Sequence, residues 1–364
     1  MSGTSIDAVD YALCRVALER VELRRWWQVK FPKTLQGRLH AAARGEAFSD
    51  EVGQLHHDLG RFYVSGVARG LGRSKPQLIG LHGQTIFHQP NGKRPATFQL
   101  GEPAYLVEAL RRPVVSNFRS ADIAAGGEGA PLATLFHKIV FGKRGRHVCV
   151  NNLGGISNVT SIDWRHGRKP NLLAFDTGPA NAPIDLATRY YSADKRSFDK
   201  NGAWAARGKV SEKSVSDWLA HAYFHQLPPK STGRELFGEL FFRRTFAQRA
   251  NLSKYDAVAS FTELTARSIA LNYRLHLQSM PDEVVLTGGG AANRELVKRI
   301  DCCLAGLNPR IRIQTTTALG WPLQSVEPAA FALLAYYRWL KRPANIPQTT
   351  GAKHAVWLGQ VAEP

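Results

Sequence analysis

The chain has 364 residues, of which 44% are hydrophobic and 21% are charged, a composition that is typical of globular proteins and excludes an intrinsically disordered one. Its length exceeds the roughly 250–300 residues at which one hydrophobic core stops growing, which predicts two domains with a central cleft. The 48 Lys and Arg against 29 Asp and Glu give a net charge of +19, but the basic residues form short, dispersed clusters. This favours a solvated basic surface, attractive to anionic ligands, over specific nucleic-acid binding.

Apolar periodicity predicts alternating strands and helices along the chain. A helix with apolar residues at helical spacing is expected at residues 50–70. Short apolar runs predict strands at residues 10–16, 25–30, 78–81, 114–115, 147–151 and 283–286. The alternation predicts an α/β fold with mixed sheets flanked by helices. We place the domain boundary near residue 140, so that residues 1–140 with a tail at about 341–364 form one domain and residues 141–340 form the other.

A single carboxylate after an apolar run is the strongest indication of catalysis. Asp176 follows residues 171–175 and precedes Gly178 and Pro179, which predicts a position at the end of a strand. A carboxylate placed there can act as a base in a cleft. Three glycine-rich turns elsewhere in the chain strengthen this interpretation and together indicate a nucleotide site.

The three turns have the composition of phosphate-binding and nucleoside-binding loops. Residues 3–5 (Gly-Thr-Ser) precede Asp7, and the glycine-containing segment 152–158 follows an apolar strand. Small residues let backbone N–H groups and hydroxyls approach phosphate closely, so two such turns can grip a triphosphate. One Gly-Thr-Ser turn alone is usually structural. The triple glycine at 288–290 allows a base or ribose to approach, and it is neither a Walker A loop nor a GxGxxG motif.

The cysteines and the apolar profile indicate where the protein acts. The four cysteines show neither a CxxC motif nor zinc-site spacing, which predicts free thiols in a reducing compartment. The N-terminus lacks the features of a signal peptide, and the longest apolar stretch, near residues 329–340, is interrupted by two tyrosines and an arginine. We therefore expect a cytoplasmic protein without a membrane segment.

Taken in order, the motifs resemble those of one protein family over essentially the whole chain. They are MSGTSIDAVD at 1–10, HGQT at 82–85, NFR at 117–119, DIA at 122–124, GGEGAPL at 126–132, FDTGP at 175–179, PKSTGRE at 229–235 and TELT at 262–265. The set is similar to that of the anhydro-N-acetylmuramic acid kinases, within the actin, sugar-kinase and heat-shock ATPase superfamily. The resemblance implies a two-domain actin-like ATPase/sugar kinase fold that clamps ATP between two phosphate loops and an adenosine loop.

The resemblance also implies a coupled reaction in peptidoglycan (cell-wall) recycling. ATP phosphorylates O6 of 1,6-anhydro-N-acetylmuramic acid while water opens the anhydro bridge at C1, giving N-acetylmuramic acid 6-phosphate and ADP. Asp176 is then the general base for the water, and Mg²⁺ is expected with Asp7 as an indirect partner. The residues expected to bind ATP are Gly3, Thr4, Ser5, Ile6, Asp7, Ala8, Val9, Asp10, Asn152, Gly154, Gly155, Gly288, Gly289, Gly290 and Asn293.

The sugar is expected to contact residues of the first domain. Arg119 is expected to bind the lactyl carboxylate, because a guanidinium forms a bidentate fork with a carboxylate and Lys cannot. His82, Gln84, Asp122 and Glu128 are weaker candidates for sugar hydroxyls. Two of them have structural alternatives, since His82 can be a satisfied core histidine and Glu128 can cap a turn.

We interpret residues 230–235 first as a structural segment, although 229–235 matches the family. Glu235 lies three residues after Thr232, which is the spacing of a capping box. The segment is therefore expected to begin a helix with Thr232 as its N-cap.

Some positions depart from the family. Ala8 and Ala180 stand where Gly is common, Glu128 where Gln is usual and Gln324 where Asp is usual; a Cβ at either alanine would be strained if its φ were positive. Family members also carry residues before the position of Met1, so this chain is expected to begin at the edge of its phosphate loop. Another amino-sugar kinase of the superfamily, or a catalytically impaired ATP-binding homologue, remains as an alternative. The family suggests a homodimer.

Overall fold

The computed structural model describes residues 1–3, 6–90, 92–247 and 251–364, with only the backbone described at 234, 235, 246 and 247. The chain forms two compact units. Unit 1 comprises Met1–Val140 and Gln324–Pro364, and unit 2 comprises Phe141–Leu323.

Strands and helices alternate along the chain. Every strand that the sequence predicts overlaps an observed strand, and the predicted helix overlaps an observed helix. The strands are β1 (Ala8–Ala17), β2 (Arg20–Lys30), β3 (Ile79–Gly80), β4 (Gln84–Gln89), β5 (Ala96–Leu100), β6 (Val114–Ser116), β7 (His147–Leu153), β8 (Ile156–Asp163), β9 (Asn171–Pro179), β10 (Glu283–Thr287), β11 (Arg312–Thr315) and β12 (Gln360–Ala362). The helices are α1 (Lys33–Ala43), α2 (Ser49–Leu71), α3 (Ala104–Leu110), α4 (Ser120–Ala124), α5 (Thr134–Val140), α6 (Asn181–Tyr191), α7 (Glu212–Leu219), α8 (Arg234–Phe237), α9 (Glu239–Ala247), α10 (Lys254–His276), α11 (Arg294–Ala305), α12 (Val326–Trp339) and α13 (Pro347–Thr350). The 3₁₀ segments that bear on function are Ala222–His225 and Gly289–Ala292.

Unit 1 is built from two hairpins and a small mixed sheet. The antiparallel pairs are β1 with β2 and β4 with β5. In the third sheet, β6 is parallel to β3 and antiparallel to β12. Apolar side chains of α1 and α2, among them the fully buried Leu39, Leu55 and Leu59, fill the core of this unit.

Helix α12 belongs to unit 1, whereas residues 324–340 are expected from the sequence in the second domain. The ring of Phe331 in α12 lies 4.5 Å from that of His82 and 5.2 Å from that of Phe118. The carbonyl oxygen of Phe331 approaches Gly80 of β3 so closely that a Cβ there would lie 2.5 Å from it. The helix buries its apolar face against unit 1, a partner that apolar periodicity cannot identify.

Unit 2 contains a five-stranded sheet in the order β11-β10-β7-β8-β9. Strands β7, β10 and β11 are parallel, and β8 and β9 are antiparallel to their neighbours. Helix α10 packs on this sheet, where the hydroxyl of Tyr273 donates to Oδ1 of Asn151 at 3.2 Å. Mixed sheets flanked by helices confirm the α/β class. Among the described residues, no helix combines the length and apolarity needed to cross a bilayer.

Candidate functional site

The two glycine-rich turns of unit 2 lie side by side because they follow neighbouring parallel strands. Asn152 of β7 is opposite Thr287 of β10, so both strands end at the same edge of the sheet. Gly288 has a φ of +79°, and a Cβ there would lie 2.3 Å from Oδ1 of Asn152. A Cβ at Gly290 would lie 2.7 Å from Cβ of Leu153. These two glycines therefore permit the close packing of the turns.

Three other glycines at this edge have room for a Cβ. A Cβ at Gly289 would meet nothing within 4 Å. The nearest atom to a Cβ at Gly154 is the carbonyl oxygen of Ile156 at 3.4 Å, and at Gly155 it is Cβ of Ala182 at 4.0 Å. Glycine backbone that no neighbouring atom crowds fits the phosphate and ribose groups of a nucleotide.

The start of α6 fixes the turn at Gly154 and Gly155. The N–H groups of Ala180 and Asn181 donate to the carbonyl oxygens of Gly155 and Gly154, both at 3.0 Å. Ala180 has a φ of −120°. Ala8 lies in β1 and does not have a positive φ. Neither alanine therefore has the strain that a Cβ would cause at a positive φ.

Asn293, expected at the adenosine, has a structural partner. Its Oδ1 accepts from the N–H of Leu296 at 3.0 Å, so Asn293 is the N-cap of α11. The side chain is 8% exposed. Asn293 therefore anchors the helix that follows the triple glycine.

Asp176 lies on the same face of the sheet as Asn152. It is opposite Asn158 of β8, which in turn is opposite Asn152 of β7, and directly opposed residues point to one face. Two strand spacings separate Asp176 from Asn152 by roughly 10 Å. The prediction that Asp176 ends its strand is wrong, because β9 continues to Pro179.

Hydrogen bonds from neighbouring segments hold Asp176. Its Oδ2 accepts from the N–H of Thr232 at 2.8 Å. Its N–H donates to the carbonyl oxygen of Lys230 at 3.1 Å, and its carbonyl oxygen accepts from the hydroxyl of Tyr223 at 2.9 Å. A hydrogen bond to a carboxylate oxygen fixes its orientation and favours the ionised form.

The capping-box prediction for residues 232–235 is wrong. The N-cap of α8 is Gly233, one residue after Thr232. The N–H of Thr232 points to Asp176 instead of closing a box. The sequence alone therefore did not indicate Lys230 and Thr232 as neighbours of Asp176, and the only available signal was that their segment matches the family.

In unit 1, the N-terminal turn is held by Gln84. The carbonyl oxygen of Gly3 accepts from the N–H of Ile6 and from Nε2 of Gln84, both at 3.2 Å. Oε1 of Gln84 is buried and has no partner among the described residues. Ile6 has a φ of 57°, an outlier for a β-branched residue and of the kind that clusters at functional sites. Thr4 and Ser5 lie outside the described residues.

The residues after this turn differ in exposure. The carboxylate of Asp7 is exposed, with Oδ1 at 3.5 Å from Nε2 of Gln36. Val9 is 1% exposed and contributes packing. Oδ1 of Asp10 accepts from Nε2 of Gln28 at 2.9 Å, and burial raises the pKa of Asp10 to about 6.

Arg119 and His82 form a pair in which histidine is the acceptor. Nδ1–H of His82 donates to the carbonyl oxygen of Gly83 at 2.9 Å, which leaves Nε2 to accept from Nε and Nη2 of Arg119 at 3.1 and 2.9 Å. Burial, and then the charge of Arg119, hold the pKa of His82 well below its usual range. Both ring nitrogens are satisfied by protein, which supports the core-histidine alternative.

Part of the Arg119 guanidinium remains for a ligand. Nη1 donates to the carbonyl oxygen of Gly129 at 2.6 Å. Of the five N–H bonds of an arginine, three are thus used by His82 and Gly129, and two have no partner in the described part of the chain. Burial lowers the pKa of Arg119 to about 10, so it stays charged at neutral pH.

Asp122 is engaged within the protein. Oδ1 accepts from Nδ2 of Asn345 at 2.7 Å and from the hydroxyl of Thr350 at 2.8 Å, and Oδ2 accepts from the N–H of Gly129 at 2.8 Å. The residue is fully buried. It thus ties the loop of Gly129 and Glu128 to the C-terminal segment, and Glu128 itself is partly exposed with its N–H bonded to the carbonyl oxygen of Thr350 at 2.7 Å.

The N-terminal turn offers one carboxylate that fits contact with a divalent cation. In the part of the chain that the structure describes, no group of three or more His, Cys, Asp or Glu side chains could hold a metal ion. Mg²⁺ is usually bound through one or two carboxylates together with substrate phosphates and water. The exposed carboxylate of Asp7 fits such an indirect contact.

Comparison with known proteins identifies the family. A family model described as anhydro-N-acetylmuramic acid kinase matches residues 1–364. A protein of that name from Microcystis aeruginosa is 40% identical over 374 residues, covering 99% of this chain and 98% of the relative. One from Crocosphaera subtropica is 39% identical over 377 residues, covering 100% and 98%. The chain belongs to the anhydro-N-acetylmuramic acid kinase family.

Proposed function

We propose that the protein opens the 1,6-anhydro ring of 1,6-anhydro-N-acetylmuramic acid and transfers the γ-phosphoryl group of ATP to O6, in peptidoglycan recycling. The observation that carries this proposal is the Asp176 carboxylate, which the N–H of Thr232 orients at 2.8 Å on the sheet face shared with Asn152. Membership of the family supports the substrate and the use of ATP.

Asp176 acts as the general base for ring opening. It accepts a proton from water as the water oxygen forms a bond to C1 and the C1–O6 bond breaks. The electron pair of that bond stays on O6, which attacks the γ-phosphorus as the bond to the ADP oxygen breaks. The proton on Asp176 is released to solvent, and N-acetylmuramic acid 6-phosphate and ADP leave.

The glycine-rich turns are the proposed ATP contacts. Gly154 and Gly155 would approach the phosphates, and Gly289 would approach the nucleoside, because a Cβ at each would have open space or a neighbour no closer than 3.4 Å. Mg²⁺, when bound, neutralises phosphate charge, and Asp7 would hold it indirectly. The turn of Gly3 would contribute backbone donors.

The sugar is proposed to contact unit 1. The two N–H bonds of Arg119 without a protein partner in the described residues suit the lactyl carboxylate. Oε1 of Gln84, buried and without a partner among the same residues, suits a sugar hydroxyl. His82 would orient Arg119, and Asp122 would shape the loop that carries Glu128.

Units 1 and 2 are proposed to be the two kinase domains, and the protein is proposed to be a cytoplasmic homodimer, as the family suggests. Light scattering coupled to gel filtration measures the assembly. A mass near twice the 40.2 kDa of one chain supports the dimer, and a mass near that of one chain contradicts it.

The direct test is incubation of the protein with ATP, Mg²⁺ and the anhydro sugar. Mass spectrometry should show N-acetylmuramic acid 6-phosphate, with one solvent ¹⁸O at C1 when the reaction runs in labelled water. Binding of the sugar without product would refute the activity. Faster turnover of another amino sugar in a substrate panel would favour the other amino-sugar kinase.

Asp176→Asn tests the base, because the amide is nearly isosteric and cannot accept the proton. Turnover should fall by about 10²–10⁴-fold with little change in ATP affinity. Asp185→Asn, on α6 and with no proposed role, is the matched control and should retain activity. Turnover by Asp176→Asn at the wild-type rate would remove Asp176 from this role.

A further inference from the structure

Lys230 is a buried lysine beside Asp176 that the proposed mechanism does not use. It is 6% exposed, and lysine is rarely buried unless its ammonium group is paired. Nζ donates to the carbonyl oxygens of Tyr223 and Phe224 at 3.2 and 3.3 Å and lies 3.4 Å from Nε2 of His276. A charged group has therefore been placed in the protein interior, at a site lined by acceptors.

Hydrogen bonds among Asp176, Lys230 and Tyr223 form a closed ring. The N–H of Asp176 donates to the carbonyl oxygen of Lys230 at 3.1 Å, Nζ of Lys230 donates to the carbonyl oxygen of Tyr223 at 3.2 Å, and the Tyr223 hydroxyl donates to the carbonyl oxygen of Asp176 at 2.9 Å. Nζ also lies 4.9 Å from the centre of the Tyr223 ring, within cation–π range. Each of the three residues thus fixes the other two.

The ring also fixes the carboxylate of Asp176. Thr232, two residues after Lys230, donates its N–H to Oδ2 of Asp176 at 2.8 Å. The Lys230 side chain ties this segment to the 3₁₀ turn Ala222–His225, which carries both carbonyl acceptors. Loss of the ammonium group would remove the hydrogen bonds from Lys230 to those two carbonyls and free the segment that orients Oδ2.

The titratable groups around Lys230 come from three elements. Asp176 on β9 carries the nearby negative charge, Tyr223 lies on the 3₁₀ turn, and His276 lies at the end of α10. Burial, and then the charge of Lys230, lower the pKa of His276, on which His225 acts in the same direction. His276 therefore accepts as a neutral imidazole. Burial lowers the pKa of Lys230 to about 8, and the charge of Asp176 opposes that shift.

We propose that Lys230 is a positioning residue for the base: it clamps residues 230–232 so that the Thr232 amide orients the Asp176 carboxylate, and its positive charge keeps that carboxylate ionised. This inference rests on the proposed role of Asp176. A lysine that only stabilised the fold would alter stability without changing the protonation of the base.

Lys230→Met removes the charge and keeps an apolar stem of similar length. We expect kcat to fall about 100-fold, with KM for ATP and for the sugar within about threefold, because misplacement of a catalytic group affects mainly the chemical step. The acidic limb of the pH–kcat profile should move to higher pH, because loss of a nearby positive charge raises the pKa of a carboxyl group. Lys254→Met is the matched control: this exposed lysine of unit 2 lies over the rings of Trp204 and Tyr255.

Amine rescue separates charge from packing. In Lys230→Ala, added ethylamine should restore part of kcat, whereas ethanol of similar size should not. A measurement on the wild type needs no variant: kcat should fall through an alkaline limb near pH 8 as Lys230 loses its proton. A flat wild-type kcat up to about pH 9.5 would overturn the proposal, even if neither variant folds.

The two variants separate the role of Lys230 from the role of Asp176. If Asp176→Asn is inactive while Lys230→Met keeps the wild-type kcat and acidic limb, the base assignment stands and the role of Lys230 is refuted. A lower unfolding temperature with neither a shifted limb nor amine rescue also refutes it, since it shows a structural role. If Asp176→Asn retains turnover, both proposals fail together.

Discussion

The Arg119 guanidinium is held by protein acceptors and still has N–H bonds for a ligand. Its guanidinium contacts His82 and Gly129, yet two N–H bonds have no partner among the described residues. The neutral His82 accepts without cancelling the positive charge. This arrangement leaves a charged fork that suits a carboxylate ligand, whereas a lysine in the same place would offer a point charge.

Arg119→Lys tests that fork. KM for the anhydro sugar should rise about 10-fold to 100-fold, because a bidentate charge-assisted pair is replaced by a weaker contact. Steady-state kinetics with 1,6-anhydro-N-acetylmuramic acid measure this. The control substrate is 1,6-anhydro-N-acetylglucosamine, which lacks the lactyl group and should show little change in KM. An equal loss for both sugars would contradict the contact.

His137 of α5 provides a pH-dependent term in stability. Burial lowers its pKa to about 3, whereas an unfolded histidine has a pKa near its ordinary value of about 6.5. Between these values the unfolded state binds more protons, so the free energy of unfolding falls as pH drops below about 6.5, by up to about 1.4 kcal/mol per pH unit.

Urea unfolding at several pH values measures this effect. His137→Gln should reduce the loss of stability between about pH 6.5 and 4.5. His166→Gln, at an exposed position, should leave the pH dependence as in the wild type. Equal pH dependence in His137→Gln and the wild type would contradict the assignment.

The topology of the five-stranded sheet brings the proposed nucleotide contacts together. Parallel pairing of β7 with β10 places both glycine-rich turns at one edge, and antiparallel pairing through β8 places Asp176 on the same row as Asn152. The turns are adjacent only because Gly288 and Gly290 have no Cβ. The strand order therefore places segments that are more than a hundred residues apart in one candidate site.

Gly290→Ala and Gly289→Ala form a matched pair. The Cβ of Gly290→Ala would lie 2.7 Å from Cβ of Leu153, so we expect a loss of about 1–3 kcal/mol in the free energy of unfolding and weaker ATP binding. Gly289→Ala meets nothing within 4 Å and should leave the unfolding temperature nearly unchanged. Thermal unfolding and nucleotide titration measure both. Equal destabilisation by the two variants would contradict the packing described here.

The net charge of +19 on the whole protein creates a positive electrostatic field that attracts anions. Both proposed substrates are anionic. We expect kcat/KM for ATP to fall about 3-fold to 10-fold as KCl rises from about 50 to 300 mM, because ions screen this field over roughly 10 Å or less. The kcat should change less, since it reports on bound substrate. Stopped-flow or initial-rate kinetics at constant free Mg²⁺ measure the effect, and a salt-independent kcat/KM would contradict it.

The amino-acid sequence was enough to predict the α/β class, the positions of the main strands, the family and Asp176 as the candidate base, because these depend on apolar periodicity and on ordered local motifs. The folded structure was needed to show that α12 packs in unit 1, that Asp122 has structural partners, and that Lys230 and Thr232 hold Asp176. Each of these facts is a contact between residues distant in the chain, which depends on which elements pack together. Local residue patterns specify the elements but not those partners.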